Sequence, residues 1–162
     1  MICESFPPIE AARARVLIVG SMPGIRSLQA AEYYAHPQNA FWRILRDVLG
    51  GSIDTYEGKT AIIRKNALAL WDAACTCERE GSLDSAMRGV QLNDFPALFA
   101  RQPEIRTVLC NGATAYTLFT KGGFAGNRTI VRMPSTSPAY TMAYEKKREI
   151  WKDALLAALS EK

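Results

Sequence analysis

Four short apolar runs are the clearest pattern along the chain. Each is rich in aliphatic residues and is bounded by charged or turn-forming residues, which is typical of a strand buried on both faces of a sheet. The runs predict strands at residues 15–20, 67–71, 106–110 and 129–133. Because helical patterns separate most of these runs, the strands are predicted to be parallel and joined by right-handed crossovers.

Apolar residues at helical spacing predict the helices that lie between the strands. Residues 40–49 carry an apolar stripe that includes Phe41 and leaves Trp42 one position off it. Residues 146–159 carry a second stripe and predict a long C-terminal helix. The weaker helical candidates are residues 95–100 and 113–120.

The alternation of strands and helices predicts an α/β fold. We expect a three-layer α/β/α sandwich around a central four-stranded, mainly parallel sheet, in a single domain over residues 1–162. Residues 72–93 show neither period, so they are predicted to be a long loop with short helical pieces.

Composition narrows the class of protein. A chain of 162 residues that is 48% hydrophobic can bury a core without a disulfide framework or a structural metal. No apolar run approaches the roughly 18 residues of a membrane helix, and the N-terminus lacks a signal-peptide pattern. The expected location is therefore the cytoplasm, and the expected state is a monomer.

The cysteines and the net charge bear on ligands. Cys3, Cys75, Cys77 and Cys110 form no CxxC pair, which favours buried thiols over a metal or iron–sulfur site, and no cofactor is expected. The net charge of +4 and the pI of about 9.0 favour a polyanionic partner, although an ordinary basic protein has the same balance.

The carboxyl ends of the predicted strands define a rim where a ligand would bind. In an open α/β sheet this edge carries the ligand site, so the loop at residues 20–24, Asp72, Asn111 and residues 134–138 are expected to lie together. Pro23 occupies a position where a dinucleotide-binding fingerprint needs a free amide. A dinucleotide site is therefore not predicted.

Polar and aromatic residues are concentrated just before the 40–49 helix. Asn39 is a preferred helix cap, but its amide oxygen is also able to accept a hydrogen bond from a water and orient it. His36, the single histidine, is either structural or able to polarise a bond or bind phosphate. Tyr34 and Trp42 could stack on a nucleobase, whereas core packing also explains them.

A hydroxyl-rich segment precedes the C-terminal helix. Ser137 and Pro138 make a good pair for the first positions of a helix. Hydroxyls and free amides at a helix N-terminus also bind phosphate, and Lys146 and Lys147 follow within about three turns. The two interpretations are compatible.

Five motifs in order carry a resemblance to a known family. They are GSMPG, YYAHPQNAFW, LWDAACTCEREGSLDS, LCNGATA and PSTSPAY, and the match around them runs from about residue 16 to residue 151. Together they resemble the uracil-DNA glycosylase superfamily and, more narrowly, its hypoxanthine-DNA glycosylase family. The resemblance implies a uracil-DNA glycosylase-like fold and removal of a damaged base from DNA.

The same resemblance implies where the chemistry lies. In the superfamily the GSMPG-like loop presents an acidic or amide side chain that positions water, but here Met22 takes that place, and a thioether is a poor acceptor. The resemblance assigns the catalytic role to Asn39 instead. The residues expected to bind the substrate are Gly20, Ser21, Met22, Pro23, Gly24, Tyr34, His36, Phe41, Trp42, Asp72 and Asn111.

By resemblance, the PSTSPAY loop enters the minor groove and grips phosphates while the nucleotide swings out. Tyr140 or Met142 would fill the gap in the base stack, and either Asp72 or Asn111 would read the base. The residues expected to contact DNA are Ser135, Thr136, Ser137, Pro138, Tyr140, Lys146 and Lys147.

The function implied is that of a monofunctional DNA glycosylase in base excision repair. It would hydrolyse the N-glycosidic bond of a deaminated base in DNA, with hypoxanthine as the expected base. One alternative is a mismatch-type uracil glycosylase of the same fold. Another is a non-catalytic DNA or nucleotide binder in which Met22 marks a lost site. A serine hydrolase is disfavoured because no G-x-S-x-G elbow is present.

Overall fold

The structure is a computed structural model that describes residues 1–161. Its strands are β1 Ile2–Glu4, β2 Ile9–Glu10, β3 Val16–Gly20, β4 Leu68–Asp72, β5 Ala74–Glu78, β6 Arg88–Leu92, β7 Thr107–Asn111 and β8 Thr129–Met133. Its helices are α1 Ile25–Ala30, α2 Phe41–Leu49, α3 Tyr56–Lys65, α4 Phe95–Arg101, α5 Ala113–Lys121 and α6 Tyr144–Ser160, with a short 3-10 helix at Asp84–Ala86.

The central sheet has the order β2-β4-β3-β7-β8. Strands β4, β3, β7 and β8 are parallel neighbours and correspond to the four strands that the sequence predicts. A fifth strand, the two-residue β2, adds antiparallel to the edge of β4. Every residue of β3, β4 and β7 is buried, as the continuous apolar runs predict.

Two hydrophobic cores lie on opposite faces of this sheet. Alternate residues of β3 divide between them: Val16 and Ile18 join the core under α2, α3 and α6, while Leu17 and Val19 join the core under α4 and α5. Trp151 of α6 is fully buried in the first core. This arrangement confirms the predicted three-layer α/β/α sandwich.

Residues 72–93 do not form the predicted loop. They contain β5 and β6, and β5 pairs with β6 on one side and with β1 on the other in a three-stranded antiparallel sheet of order β1-β5-β6. These strands are short, and β6 exposes most of its side chains, so neither carries the apolar run that marks the central strands. The second sheet packs beside the loop that follows β3, through Met22, Cys3 and Cys77.

Two helices of the structure have no counterpart in the sequence prediction. Helix α1 has only six residues, and α3 begins where the Thr55 hydroxyl accepts a hydrogen bond from the Gly58 amide at 3.0 Å. Helix α3 has a weaker apolar stripe than α2, and the one residue that α1 buries is the polar Ser27. Among the helices over residues 1–161, none combines the length and apolarity that crossing a membrane requires.

Candidate functional site

A pocket of about 520 Å³ opens at the carboxyl ends of the parallel strands. This is the edge where the sequence analysis places a ligand. Twelve of the predicted site residues line the pocket: Gly20, Ser21, Met22, Pro23, Gly24, Tyr34, His36, Asn39, Asp72, Asn111, Ser137 and Pro138. The structure therefore brings together residues that lie more than a hundred positions apart in the sequence.

Gly20 ends β3 at the floor of the pocket, where no side chain has room. A Cβ at this position would lie 2.7 Å from the Tyr34 hydroxyl oxygen and closer still to Oδ1 of Asp72. Asp72 lies directly beside Gly20 because β3 and β4 pair in parallel, with Gly20 opposite Asp72. The glycine thus lets the carboxyl and the phenol approach each other.

We predict that Gly20→Ala destabilises the protein by about 1–3 kcal/mol, the usual cost of overpacking a tight site. The added methyl would have to displace Asp72 or Tyr34, both of which are held by β-sheet and core packing. Thermal unfolding measures the effect. Gly24→Ala is the matched control in the same loop, because its Cβ would meet only the Ser82 side chain, at 3.2 Å. Equal stability losses in both variants would contradict the prediction.

The apolar side chain of Met22 is not able to position a water molecule. It is buried and packs with Cys3, Ala74 and Cys77 against the second sheet. A thioether in this position gives the pocket wall no strong hydrogen-bond acceptor. Met22 therefore anchors the GSMPG loop to the second sheet, and the loop forms one wall of the pocket.

Asn39 combines a structural bond with a free polar face. Its Oδ1 accepts a hydrogen bond from the Phe41 amide at 3.0 Å, although the helix cap itself is Ala40. A carbonyl oxygen has two lone pairs, so one remains for a water. Within residues 1–161, no protein atom accepts from the Asn39 side-chain NH2. The two alternative roles of Asn39 are therefore physically compatible.

Backbone hydrogen bonds join the Asn39 segment to the 134–138 loop. The Ala40 amide donates to the Thr136 carbonyl at 3.0 Å, and the Thr136 amide donates to Oδ1 of Asn111 at 2.9 Å. Asn111 lies at the end of β7, so the chain links three separate segments around one pocket. Movement of one wall would strain the others.

Asn111 is less available to read a base than the sequence analysis expects. Its Nδ2 donates to the Thr136 hydroxyl at 2.9 Å and to the Tyr34 hydroxyl at 3.2 Å, while its Oδ1 accepts from the Thr136 amide. Both N–H groups and one lone pair are therefore engaged with the protein. Asn111 is a brace between pocket walls.

Tyr34 presents its hydroxyl to the pocket. Its ring stacks on Phe41 with centroids 4.2 Å apart, and its backbone has a positive φ of 53°, which is uncommon for a residue with a side chain. Burial, followed by the nearby Asp72 charge, raises the pKa of this phenol, so it stays neutral. Because its oxygen accepts from Asn111, its own O–H is free to donate.

Phe41 and Trp42 do not line the pocket, contrary to their prediction as substrate-binding residues. Both rings are buried in the core, and the Trp42 indole N–H donates to the Tyr33 carbonyl at 2.7 Å. Trp42 lies off the apolar stripe, but packing against Tyr56 and Tyr34 covers that side of the helix. Phe41 supports the pocket indirectly, through its stack on Tyr34.

Asp72 is a buried carboxyl at the floor of the pocket. The residue is only 3% exposed, and Oδ2 finds no hydrogen-bond partner in the part of the chain that the structure describes. Burial and, to a smaller extent, the Asp84 charge raise the pKa of Asp72, the Arg79 charge opposes both, and the net result is a pKa of about 7. Asp72 thus changes its charge near neutral pH.

Arg79 and Asp84 are site residues that the sequence analysis did not single out. Arg79 is 2% exposed and donates from Nη2 to the Pro23 carbonyl, while its Nε and Nη1 have no partner among the described residues. Asp84 accepts from the Ser21 hydroxyl at 2.8 Å, and burial raises its pKa. The GSMPG loop is therefore held by a buried cation and a carboxyl of the 72–93 segment.

His36 lies at the pocket edge and is half-buried. Its Nδ1 accepts from the Gln38 amide at 3.1 Å, which leaves Nε2 to carry the proton of the neutral ring. The imidazole therefore offers an N–H donor in addition to its structural bond.

The 134–140 loop differs from its prediction as the start of a helix. Ser137 and Pro138 lie in a turn in which the Tyr140 amide donates to the Ser137 carbonyl at 3.0 Å, and α6 begins only at Tyr144. The intervening residues are needed to carry the chain from the pocket rim to the first turn of α6.

Two predicted DNA contacts in this region are interior. Thr136 is buried against Asn111, and Lys147 is only 4% exposed and donates from Nζ to the Ser137 carbonyl at 3.0 Å. Burial lowers the pKa of Lys147. These residues shape the loop, whereas the residues that remain half-buried or exposed are Ser135, Ser137, Pro138, Tyr140 and Lys146.

The cysteines lie apart from the pocket lining. Cys3 and Cys77 are buried partners in the second sheet, and burial raises the pKa of Cys110 to about 12. Over residues 1–161, no three side chains of His, Cys, Asp or Glu converge on a possible metal site.

Comparisons with known proteins agree with this fold. A sequence model of the uracil DNA glycosylase superfamily matches residues 7–159. A hypoxanthine DNA glycosylase of Methanosarcina acetivorans is 34% identical over 153 residues, which cover 92% of this chain and 94% of the relative. A hypoxanthine DNA glycosylase of Methanosarcina barkeri is 33% identical over 111 residues, which cover 67% and 70% of the two chains.

A solved structure shares the whole architecture. The solution NMR structure of a candidate uracil DNA glycosylase from Methanosarcina acetivorans superposes with a TM-score of 0.83 at 29% identity, and the match covers 98% of this chain and 99% of that one. The resemblance carried by the five sequence motifs is therefore confirmed. This chain belongs to the uracil DNA glycosylase superfamily.

Proposed function

We propose that this protein is a monofunctional DNA glycosylase that hydrolyses the N-glycosidic bond of deoxyinosine in DNA and releases hypoxanthine. The observation that carries the proposal is a single pocket whose lining includes both the Asn39 amide and the Asp72 carboxyl. Its relatives that are 33% and 34% identical are named hypoxanthine DNA glycosylases. Its partner is DNA that contains a deaminated base, and its role is in base excision repair.

Asn39 positions the attacking water in this proposal. Its free lone pair on Oδ1 accepts one hydrogen bond from the water, but an amide is too weak a base to remove a proton at neutral pH. The C1′–N9 bond therefore breaks ahead of attack, its electron pair leaves with the base, and the sugar becomes oxocarbenium-like. Water then bonds to C1′ and its proton passes to the base or solvent.

Asp72 and Tyr34 read the base in this proposal. The lactam edge of hypoxanthine offers an N1–H donor and an O6 acceptor, which match a carboxyl oxygen and a phenol O–H that both lie against Gly20. Adenine presents a lone pair at N1 and an amino group instead, so it would face the carboxylate with the wrong edge. Buried polar groups left unpaired are what makes such a site selective.

The exposed half of the 134–140 loop and Lys146 bind the DNA backbone in this proposal. Ser137 and Pro138 line the pocket mouth, so a backbone that follows this edge would pass the nucleotide into the pocket. Extrusion costs a few kcal/mol, and least for a mispaired base, which contributes to selection of deoxyinosine. Thr136 and Lys147 act only through the shape of the loop.

The substrate is tested by incubating the protein with three duplexes that carry deoxyinosine, deoxyuridine or deoxyxanthosine at one position. Alkali then cleaves the strand wherever a base has been removed. We expect the fastest strand cleavage with deoxyinosine and none with undamaged DNA. Release of uracil alone would favour the uracil glycosylase alternative. Binding without release from any duplex would favour the non-catalytic binder.

A further inference from the structure

Arg79 is a buried cation that lies outside the pocket lining. Among residues 1–161 it forms no ion pair, and two of its three guanidinium nitrogens, Nε and Nη1, have no hydrogen-bond partner. A buried charge without a direct partner is costly, and an apolar side chain would fill the same position without that cost. The charge of Arg79 therefore points to a role beyond packing.

The backbone of Arg79 is fixed by the second sheet, and its side chain holds the GSMPG loop. The Arg79 amide donates to the Met1 carbonyl at 2.8 Å, and Nη2 donates to the Pro23 carbonyl. At the other end of the loop, the Ala73 amide donates to the Gly20 carbonyl at 2.7 Å. The GSMPG loop is therefore tied to the end of β4 on one side and to Arg79 on the other.

Two carboxyls of the pocket share the field of this cation. Asp72 and Asp84 both line the pocket, burial raises the pKa of each, and the charge on Arg79 opposes that rise in both. The buried side-chain atoms without a hydrogen-bond partner in residues 1–161 all belong to Asp72 and Arg79. Arg79 therefore acts on Asp72 through its charge and not through a direct bond.

The other ionisable groups around Asp72 supply no positive charge. Burial and, to a smaller extent, the Asp72 charge raise the pKa of the phenols of Tyr33 and Tyr34, and burial raises that of Tyr56, so all three stay neutral. Asp84 adds a negative charge. Arg79 is therefore the cation that favours the ionised form of Asp72.

We propose that Arg79 is a positioning residue that acts through Asp72: its charge favours the carboxylate that reads the base, and its hydrogen bond holds the GSMPG loop in place. The inference rests on the proposed glycosylase function. An ionised carboxyl only accepts hydrogen bonds, as N1–H of hypoxanthine requires, whereas a protonated carboxyl also donates and so matches the N1 lone pair of adenine. Arg79 thus preserves the discrimination between the two bases.

The first test measures single-turnover release of hypoxanthine from a deoxyinosine duplex between pH 5.5 and 9. The rate of the unmodified protein should rise with pH around a midpoint of about 7, as Asp72 ionises. Arg79→Gln keeps an N–H donor for the Pro23 carbonyl but removes the charge. Its midpoint should move up by about one pH unit, equivalent to a tenfold weaker acid, whereas Arg79→Lys, which keeps the charge, should stay within about 0.3 units of the unmodified protein.

A purely structural role of Arg79 would give a different pattern. Loss of the loop contact alone would lower the rate by one factor at every pH and leave the midpoint in place. Arg88→Gln removes an exposed arginine from β6 of the same sheet and is the matched control, with an expected midpoint equal to that of the unmodified protein. Asp84→Asn removes a negative charge and should move the midpoint down, opposite to Arg79→Gln.

A second measurement needs neither DNA nor catalysis. Histidine also changes charge near neutral pH, and His36 lines the pocket, so the ionisation of Asp72 is followed directly by the carbon-13 NMR signal of its carboxyl. Loss of the signal in Asp72→Asn assigns it. The Asp72 midpoint should again move up in Arg79→Gln and down in Asp84→Asn.

An Asp72 midpoint that is the same in the unmodified protein and in Arg79→Gln would overturn the proposal. If Arg79→Gln does not fold, as judged by thermal unfolding, Asp84→Asn tests the same coupling of buried charges, and an unmoved midpoint there would also overturn it. Failure of the unmodified protein to release hypoxanthine at any pH, with the NMR shift of Arg79→Gln as expected, would contradict the proposed function instead.

Discussion

Asn39→Ala is expected to slow deoxyinosine hydrolysis by about 100- to 1000-fold in single turnover, the range for losing one positioned polar group at a reacting centre. Met22 of the GSMPG segment does not replace it, because its side chain is apolar and packs against the second sheet. The measurement is the rate of base release at saturating protein, which separates the chemical step from DNA binding and product release.

The structural bond of Asn39 requires a control. Alanine also removes the hydrogen bond to the Phe41 amide, at an expected cost of about 1 kcal/mol in stability. Asn39→Ser keeps a hydroxyl that can bond this amide but ends one atom short of the water. Serine should therefore leave the melting temperature near that of the unmodified protein and still lose the activity. Asn39→Ala within threefold of the unmodified rate would contradict the assignment of Asn39.

The stability of Asp72→Asn relative to that of the unmodified protein is expected to increase as the pH rises from 5 to 8.5. The pKa of Asp72 is raised from 3.8 to about 7 in the folded state, so the folded protein binds a proton more tightly than the unfolded chain. The penalty for ionising the carboxyl is absent below about pH 4, grows between pH 4 and 7, and is complete above pH 7. At one pKa unit per 1.4 kcal/mol, its upper limit is about 4 kcal/mol.

Thermal unfolding at several pH values measures this effect. The difference in melting temperature between Asp72→Asn and the unmodified protein should rise by up to about 10 °C from pH 5 to pH 8.5, at about 2–4 °C per kcal/mol. The unpaired amide of the Asp72→Asn variant would lower the stability of the variant by the same amount at every pH. It would therefore not change how the difference in melting temperature varies with pH. Asp153→Asn, on the exposed face of α6, is the control. Equal differences at both ends of the pH range would refute a buried, ionisable Asp72.

The sequence predicts the central sheet well because each of its parallel strands is a recognisable apolar run. Residues 129–133 match β8 in full, the predicted strand 15–20 is one residue longer than β3, and the predicted strands 67–71 and 106–110 are each shifted by one residue from β4 and β7. Continuous aliphatic runs leave little choice of structure when both faces are buried. The position of the pocket follows from the same signal, since parallel strands end at a common edge.

The second sheet could not be predicted in this way. Strand β6, Arg88–Leu92, exposes most of its residues, and β5 has two half-buried positions in the middle. The pairing of β5 with β1 depends on contacts between residues more than seventy positions apart. The burial of Arg79 is a result of that packing, so its charge gave no local sign of a role in the site.

The residue types in the sequence predicted which residues lie near the pocket better than they predicted what each residue does there. Asn111 and Thr136 are chemically able to bind a ligand, but they form hydrogen bonds with each other instead. Lys147 is able to bind phosphate, but its ammonium group donates a hydrogen bond to the Ser137 carbonyl in the turn. Trp42 was expected at the rim and instead packs inward. Each outcome is decided by a partner that the local sequence does not specify.

The most direct test of the central claim is to quantify both products from a duplex that contains one deoxyinosine. The unmodified protein should release one free hypoxanthine for each abasic site, and the strand should stay intact until alkali is added. Asn39→Ala should bind the same duplex and release almost none in the same time. Binding by the unmodified protein with no free hypoxanthine, or strand cleavage without alkali, would contradict a monofunctional glycosylase.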